Sequence, residues 1–141
     1  MMTKTLVDSN ILVYFSQHEE EDKHAICAKR IKELVENDDM YISVQNLAEF
    51  SRVITEKSKK KRSSDEANEF VEKFSKFSHV ITYTSSTIIL ANKIAKENKL
   101  HFFDALLVAT MKENSINHVL TENTDDFNKI SGINAINPFE K

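Results

Sequence analysis

The 141-residue chain has no tryptophan, one glycine (Gly132), one proline (Pro138) and one cysteine (Cys27). A single cysteine cannot close an internal disulfide. Cys27 stands among Ala25, Ile26, Ala28 and Ile31 on a helical pattern, so it reads as core filler rather than as a nucleophile. One glycine leaves no glycine-rich phosphate loop, and one glycine with one proline argues against many tight β-turns. No apolar run approaches the length that crosses a bilayer, so a membrane role is not expected. Met1 to Lys4 lead straight into an apolar stretch, without a basic n-region, a long h-region or a small-residue cleavage site. Cytoplasm is therefore the expected compartment. A net charge of −3 supplies no general attraction for nucleic acid, so any such binding has to be local. The chain also has no Ser/His/Asp arrangement, nucleophile elbow or P-loop.

What is present is an ordinary globular composition, 40% hydrophobic and 29% charged, of a length that suits one domain spanning 1–141. Short apolar runs alternate with stretches of helical period. Strands are expected at 4–8, 41–44, 79–84 and 118–121, with a short fifth at 133–136. A helix with Ile11, Leu12, Val13 and Phe15 follows the first strand, with Asn10 as its candidate cap. Another runs over 23–36. Glu49 falls in the first turns of a helix after the second strand, which the charge run Lys57 to Arg62 closes. Ser63 with Glu66 forms a capping-box signal for a helix carrying Phe70, Val71, Phe74 and Phe77. Thr84 to Thr87 offer caps for the next helix, and 102–111 is the most apolar helix, with Asp104 near its start. This order predicts a three-layer α/β/α sandwich around a short, mainly parallel sheet of four or five strands.

In such a sheet every strand ends on the same edge, which is where ligands and chemistry collect. Asp8 follows the first strand, Glu49 the second, and Asn123, Asp125 and Asp126 the fourth, while Asp104 joins them if its helix starts there. Each has a structural alternative. Asp8 could simply cap a helix, Glu49 could face solvent, Asp104 could face a helix dipole, and Asp125 and Asp126 could form a turn. Asp104 is the hardest to dismiss, because Phe102, Phe103, Ala105, Leu106 and Leu107 flank it and a buried acid needs a partner. Gathered carboxylates repel one another unless a cation sits between them, and an all-oxygen donor set selects Mg²⁺ or Mn²⁺ over Zn²⁺. Such a site suits phosphodiester hydrolysis by a metal-activated water, with no protein nucleophile. The five histidines show no metal or acid/base spacing and read as structural or surface residues. The tract Lys57 to Arg62 reads as a solvated helix end, with contact to RNA phosphates or an acidic partner as its functional alternative.

Leu6 to Leu12, Asn46 to Phe50, Phe103 to Ala109 and Leu120 to Phe127 resemble, in order and spacing, the four motifs of the PIN-domain nucleases, and most of all the VapC-type toxins of toxin-antitoxin pairs. The resemblance implies a Mg²⁺- or Mn²⁺-dependent endoribonuclease acting on structured RNA such as tRNA or rRNA. It also implies a homodimer and a cognate VapB-like antitoxin whose C-terminal segment occupies the active-site groove. Carried over residue by residue, Asp8, Asp104 and Glu49 are metal ligands. Many relatives have an acid where this chain has Asn123, and Asp126 is the expected substitute for the fourth ligand. Asn10, Thr121 and Asn123 are polar groups supporting the same edge. Two further readings stand beside this one: an RNA-processing PIN nuclease without an antitoxin, and a protein-binding module whose acids are vestigial.

Overall fold

The computed structural model describes residues 3–140; Met1, Met2 and Lys141, the ends of the expected 1–141 domain, lie outside it. In chain order the elements are β1 Thr5–Val7, α1 Ser9–Ser16, α2 Glu21–Glu36, β2 Met40–Ser43, α3 Val44–Arg52, α4 Ser64–Phe77, β3 His79–Ile81, α5 Ser85–Asn98, α6 Phe102–Glu113, β4 His118–Leu120, α7 Thr124–Phe127 and β5 Asn134–Ile136. A π-helical turn, Val53–Lys57, extends α3. The strands form one sheet in the order β3-β2-β1-β4-β5, and every pairing is parallel. The fold is thus the expected α/β class, with the fifth strand formed.

Successive side chains of a strand point to opposite faces, and β1 shows the consequence. Leu6 enters a core with Leu106, Val108, Ala109 and Val119 under α5 and α6, whereas Val7 enters a second core with Ile11, Leu12, Ile31 and Phe50 under α1 to α4. The sheet is therefore covered on both faces, as an all-parallel sheet requires. None of the described helices is long and apolar enough to cross a membrane.

Several boundaries differ from expectation for local reasons. Val44 begins α3 instead of ending β2, because Ser43 caps that helix. Its hydroxyl accepts from the Asn46 N–H at 3.0 Å, while the Asn46 side chain accepts from the Ser43 N–H at 3.1 Å. Asn10 does not cap α1; Asp8 does, accepting from the Ser9 N–H at 2.8 Å. Tyr83 falls beyond β3, which stops at Ile81. The π-helical turn has no counterpart in the expected pattern, and it places Ile54 in the core with no exposure. The Ser63 and Glu66 capping box forms as predicted. With one glycine available, the chain takes positive φ at Asp38, Lys99, Ser115 and Gly132.

Candidate active site

All strands run the same way, so the residues after β1, β2 and β4 meet at one edge. Asp8 leaves β1 and is 9% exposed. One carboxylate oxygen accepts from the Ser9 N–H at 2.8 Å and the Asn46 amide at 3.3 Å; the other accepts from the Thr121 hydroxyl at 2.8 Å. Burial raises its pKa above the ordinary carboxylate range, the charge of Asp104 adds to this, and the Thr121 and Ser9 donors oppose it. Asp8 therefore caps α1, as one of its sequence readings proposed, and its carboxylate lies at the sheet edge.

Thr121 follows β4 and has no exposure. A hydroxyl has one proton, and Thr121 commits it to Asp8 while accepting from the Asn123 N–H at 3.0 Å and the Asn10 amide at 3.4 Å. The carbonyl of the Asn10 side chain accepts from the Glu122 N–H at 3.4 Å. Asn10 and Thr121 thus tie α1 to the turn after β4, and Asn123 joins them through its backbone while its side chain is exposed.

Glu49 stands on the second turn of α3 and is exposed, yet its pKa is raised, first by partial withdrawal from water and then by the charges of Asp8 and Asp104. The Gln45 amide, donating to it at 3.1 Å, works in the opposite direction. Asp104 lies in the first turn of α6. Its pKa is raised by burial and by Asp126 and lowered by His101. The aromatic neighbours do not enclose it as the sequence suggested, because Phe103 is 63% exposed and Asp104 itself is half-buried. Asp126 is half-buried on α7 and pairs with Lys129 at 3.3 Å, whereas Asp125 is exposed.

The four acids therefore form an electrostatic chain: Asp104 raises Asp8, both raise Glu49, and Asp126 raises Asp104. Among the described residues no three acid, histidine or cysteine side chains already close around one point as a metal cage. The donors fit a hard divalent cation all the same. They are carboxylate oxygens whose mutual repulsion a positive charge would relieve, and Mg²⁺ takes one or two carboxylates while keeping most of its waters. Asp8, Glu49, Asp104 and Asp126 are the side chains at this edge that could supply them.

Sequence reasoning missed three contributors. Asn46 is fully buried and links the cap of α3 to Asp8; the Ser-x-x-Asn spacing was its signal. Gln45, adjacent to it, has no sequence signal at all. His101, read with the other histidines as structural or surface, is exposed, and its position beside Asp104 is what the sequence reading did not use. Among the other histidines, His24 faces the Tyr14 carbonyl at 3.1 Å and packs on His18, and His79 pairs with Asp38 at 2.8 Å. In the basic tract, Arg62 donates to the Ser16 carbonyl at 2.6 Å, pairs with Glu66 and covers the Phe70 ring, so it braces the fold.

A family model described as PIN domain matches residues 5–133. The chain belongs to the PIN-domain family. PIN domains are a nuclease family and in general metal-dependent. No curated protein matches the sequence. Among solved structures, this PIN domain is similar to a chain of a toxin-antitoxin complex from Klebsiella pneumoniae, with 20% identity, 98% of this chain and 100% of that one covered, and a TM-score of 0.73. It is also similar to a chain of VapBC2 from Rickettsia felis, solved bound to a promoter DNA fragment, with 16% identity, 95% and 98% coverage and a TM-score of 0.71. A third is VapC20 of Mycobacterium tuberculosis, described as a sarcin-ricin loop cleaving toxin, with 16% identity, 82% and 87% coverage and a TM-score of 0.63. At these identities the likeness is one of PIN fold.

Proposed function

We propose that this PIN domain is a metal-dependent endoribonuclease that hydrolyses RNA phosphodiester bonds, and that it is the toxin of a toxin-antitoxin pair. The observation that carries the catalytic reading is the coupled set of acids at the sheet edge, three with raised pKa values. Asp8, Asp104 and Glu49 would hold a Mg²⁺ or Mn²⁺ ion, with Asp126 at the fourth position. When bound, the ion supplies positive charge against the scissile phosphate and lowers the pKa of an attacking water. The chain's own part is positional. Thr121, Asn46 and the Ser9 N–H fix both oxygens of Asp8, so this carboxylate does not need to reorganise during reaction. Asn10 and the Asn123 backbone hold Thr121 in the orientation that gives its proton to Asp8.

The toxin reading draws support from the VapC-type neighbours and from an apolar groove of about 230 Å³ between α1, α2 and α4. Ile31, Val35, Phe74 and a half-exposed Phe77 line it, and an apolar helix of an antitoxin would bury surface there. Exposed Ile88 and Ile89 on α5 and Phe103 on α6 are apolar surface that a second copy would cover. The test is cleavage of a total tRNA and rRNA pool with Mg²⁺, Mn²⁺ or EDTA, by the parent and by Asp104→Asn. The expected result is cation-dependent cleavage that falls by at least about a hundredfold in the variant with the fold unchanged. Cleavage at the parental rate by Asp104→Asn would remove that residue's role. Relief of cleavage by the product of a neighbouring gene separates the toxin from an RNA-processing nuclease, and a parent with no cleavage and no Mn²⁺ binding is the vestigial module.

A further inference from the structure

Gln45 is an amide only 8% exposed at a charged edge of the molecule, and it touches both Glu49 on α3 and the first turn of α6, which bears Asp104. Its Nε2 donates to Glu49 Oε1 at 3.1 Å and to the Phe103 carbonyl at 2.9 Å. Phe103 immediately precedes Asp104, so one amide nitrogen ties the carboxylate on α3 to the first turn of α6. The orientation of the amide follows from its partners: both are acceptors, and the flipped rotamer would set oxygen against oxygen. The Gln45 Oε1 is buried and has no hydrogen-bond donor among the described residues. A side chain kept only for packing would be apolar, or would have its acceptor paired, because buried polar groups are nearly always satisfied. The helix ladder also does not need this side chain, since α3 is capped by Ser43 and Asn46.

Resting on the cation reading above, we propose that Gln45 is a positioning residue for the divalent cation: it sets the separation of Glu49 and Asp104 by holding both elements through one nitrogen, and keeps Oε1 as an acceptor for a proton donor that enters with the ion. Neither role makes Gln45 an acidic ligand. Its effect on the cation passes mainly through Glu49, and this separates positioning from a general contribution to folding.

The test is a double-mutant cycle read by calorimetric titration with Mn²⁺ on the full chain, using Gln45→Met, Glu49→Gln and the double variant, with circular dichroism and thermal unfolding to check the fold. Gln45→Ser serves as the second variant, because a small residue avoids an over-packed site if the methionine is not accommodated. The expected result is a loss of Mn²⁺ affinity of about tenfold in Gln45→Met or Gln45→Ser, the range seen when groups that orient metal ligands are removed. In the Glu49→Gln background the same substitution then has little further effect. Parental affinity in both Gln45 variants, or losses that simply add in the double variant, overturns the positioning role and leaves the cation reading standing. A parent chain that binds no Mn²⁺ overturns both.

Discussion

At the residue scale, the site depends on how a buried carboxylate is kept ionisable. Asp8 has three donors, and the shortest side-chain bond comes from Thr121. Thr121→Val preserves shape and removes that donor, so it leaves a buried charge under-bonded. The expected destabilisation is about 1–3 kcal/mol at neutral pH, measured by urea unfolding; an unchanged midpoint would mean that the hydroxyl does not hold the carboxylate. Cys27 gives a second check. Burial, with a smaller push from Glu122, raises its thiol from 9.0 to about 12. A raised thiol pKa means the unfolded chain loses its proton first. This contribution is present below pH 9 and is lost as pH climbs towards 12, by at most about 1.4 kcal/mol per pH unit. Relative to Cys27→Ala, the parent should lose stability over that window, and its thiol should resist alkylation at pH 8 while folded.

At the element scale, helix starts do much of the positioning. Asp8 and Ser43 cap α1 and α3, and the same capping interactions bring Ser9, Asn46 and Glu49 to the sheet edge. The helices were legible because the apolar period and the polar caps are local signals. The elements' ends were less so: Val44 has a strand former's side chain, yet it lies after a cap whose two bonds outweigh that preference. Helix α5 ends at Lys99 with φ 54, a left-handed conformation that costs an L-residue about 1 kcal/mol. Lys99→Gly should therefore raise stability by about 1 kcal/mol, read as an upward shift of the unfolding midpoint. A lower midpoint would show that the lysine side chain contributes more than its backbone strain costs.

At the scale of the whole molecule, five parallel strands gather acids from distant parts of the chain, with Asp8 and Thr121 113 residues apart in sequence. Bringing like charges together opposes folding, and a cation relieves the opposition. Without metal, Asp104→Asn should raise the melting temperature at neutral pH, because it removes the charge that raises both Asp8 and Glu49. Adding Mg²⁺ or Mn²⁺ should raise the melting temperature of the parent and much less that of the variant. Calorimetric scans with and without the ion check both, and equal shifts in the two proteins would place the cation elsewhere.

The amino-acid order alone was enough for the α/β class, the alternation of strands and helices, and the acids that follow the strands, because hydrophobic period and capping spacing act over a few residues and leave their mark in any window that contains them. Whether Asp8, Glu49, Asp104 and Asp126 feel one another's charge, and that Asn46 and Gln45 turn inward to hold them, were settled only by packing. Those relations join residues from different elements, and nothing in the local sequence specifies a distance across a sheet edge.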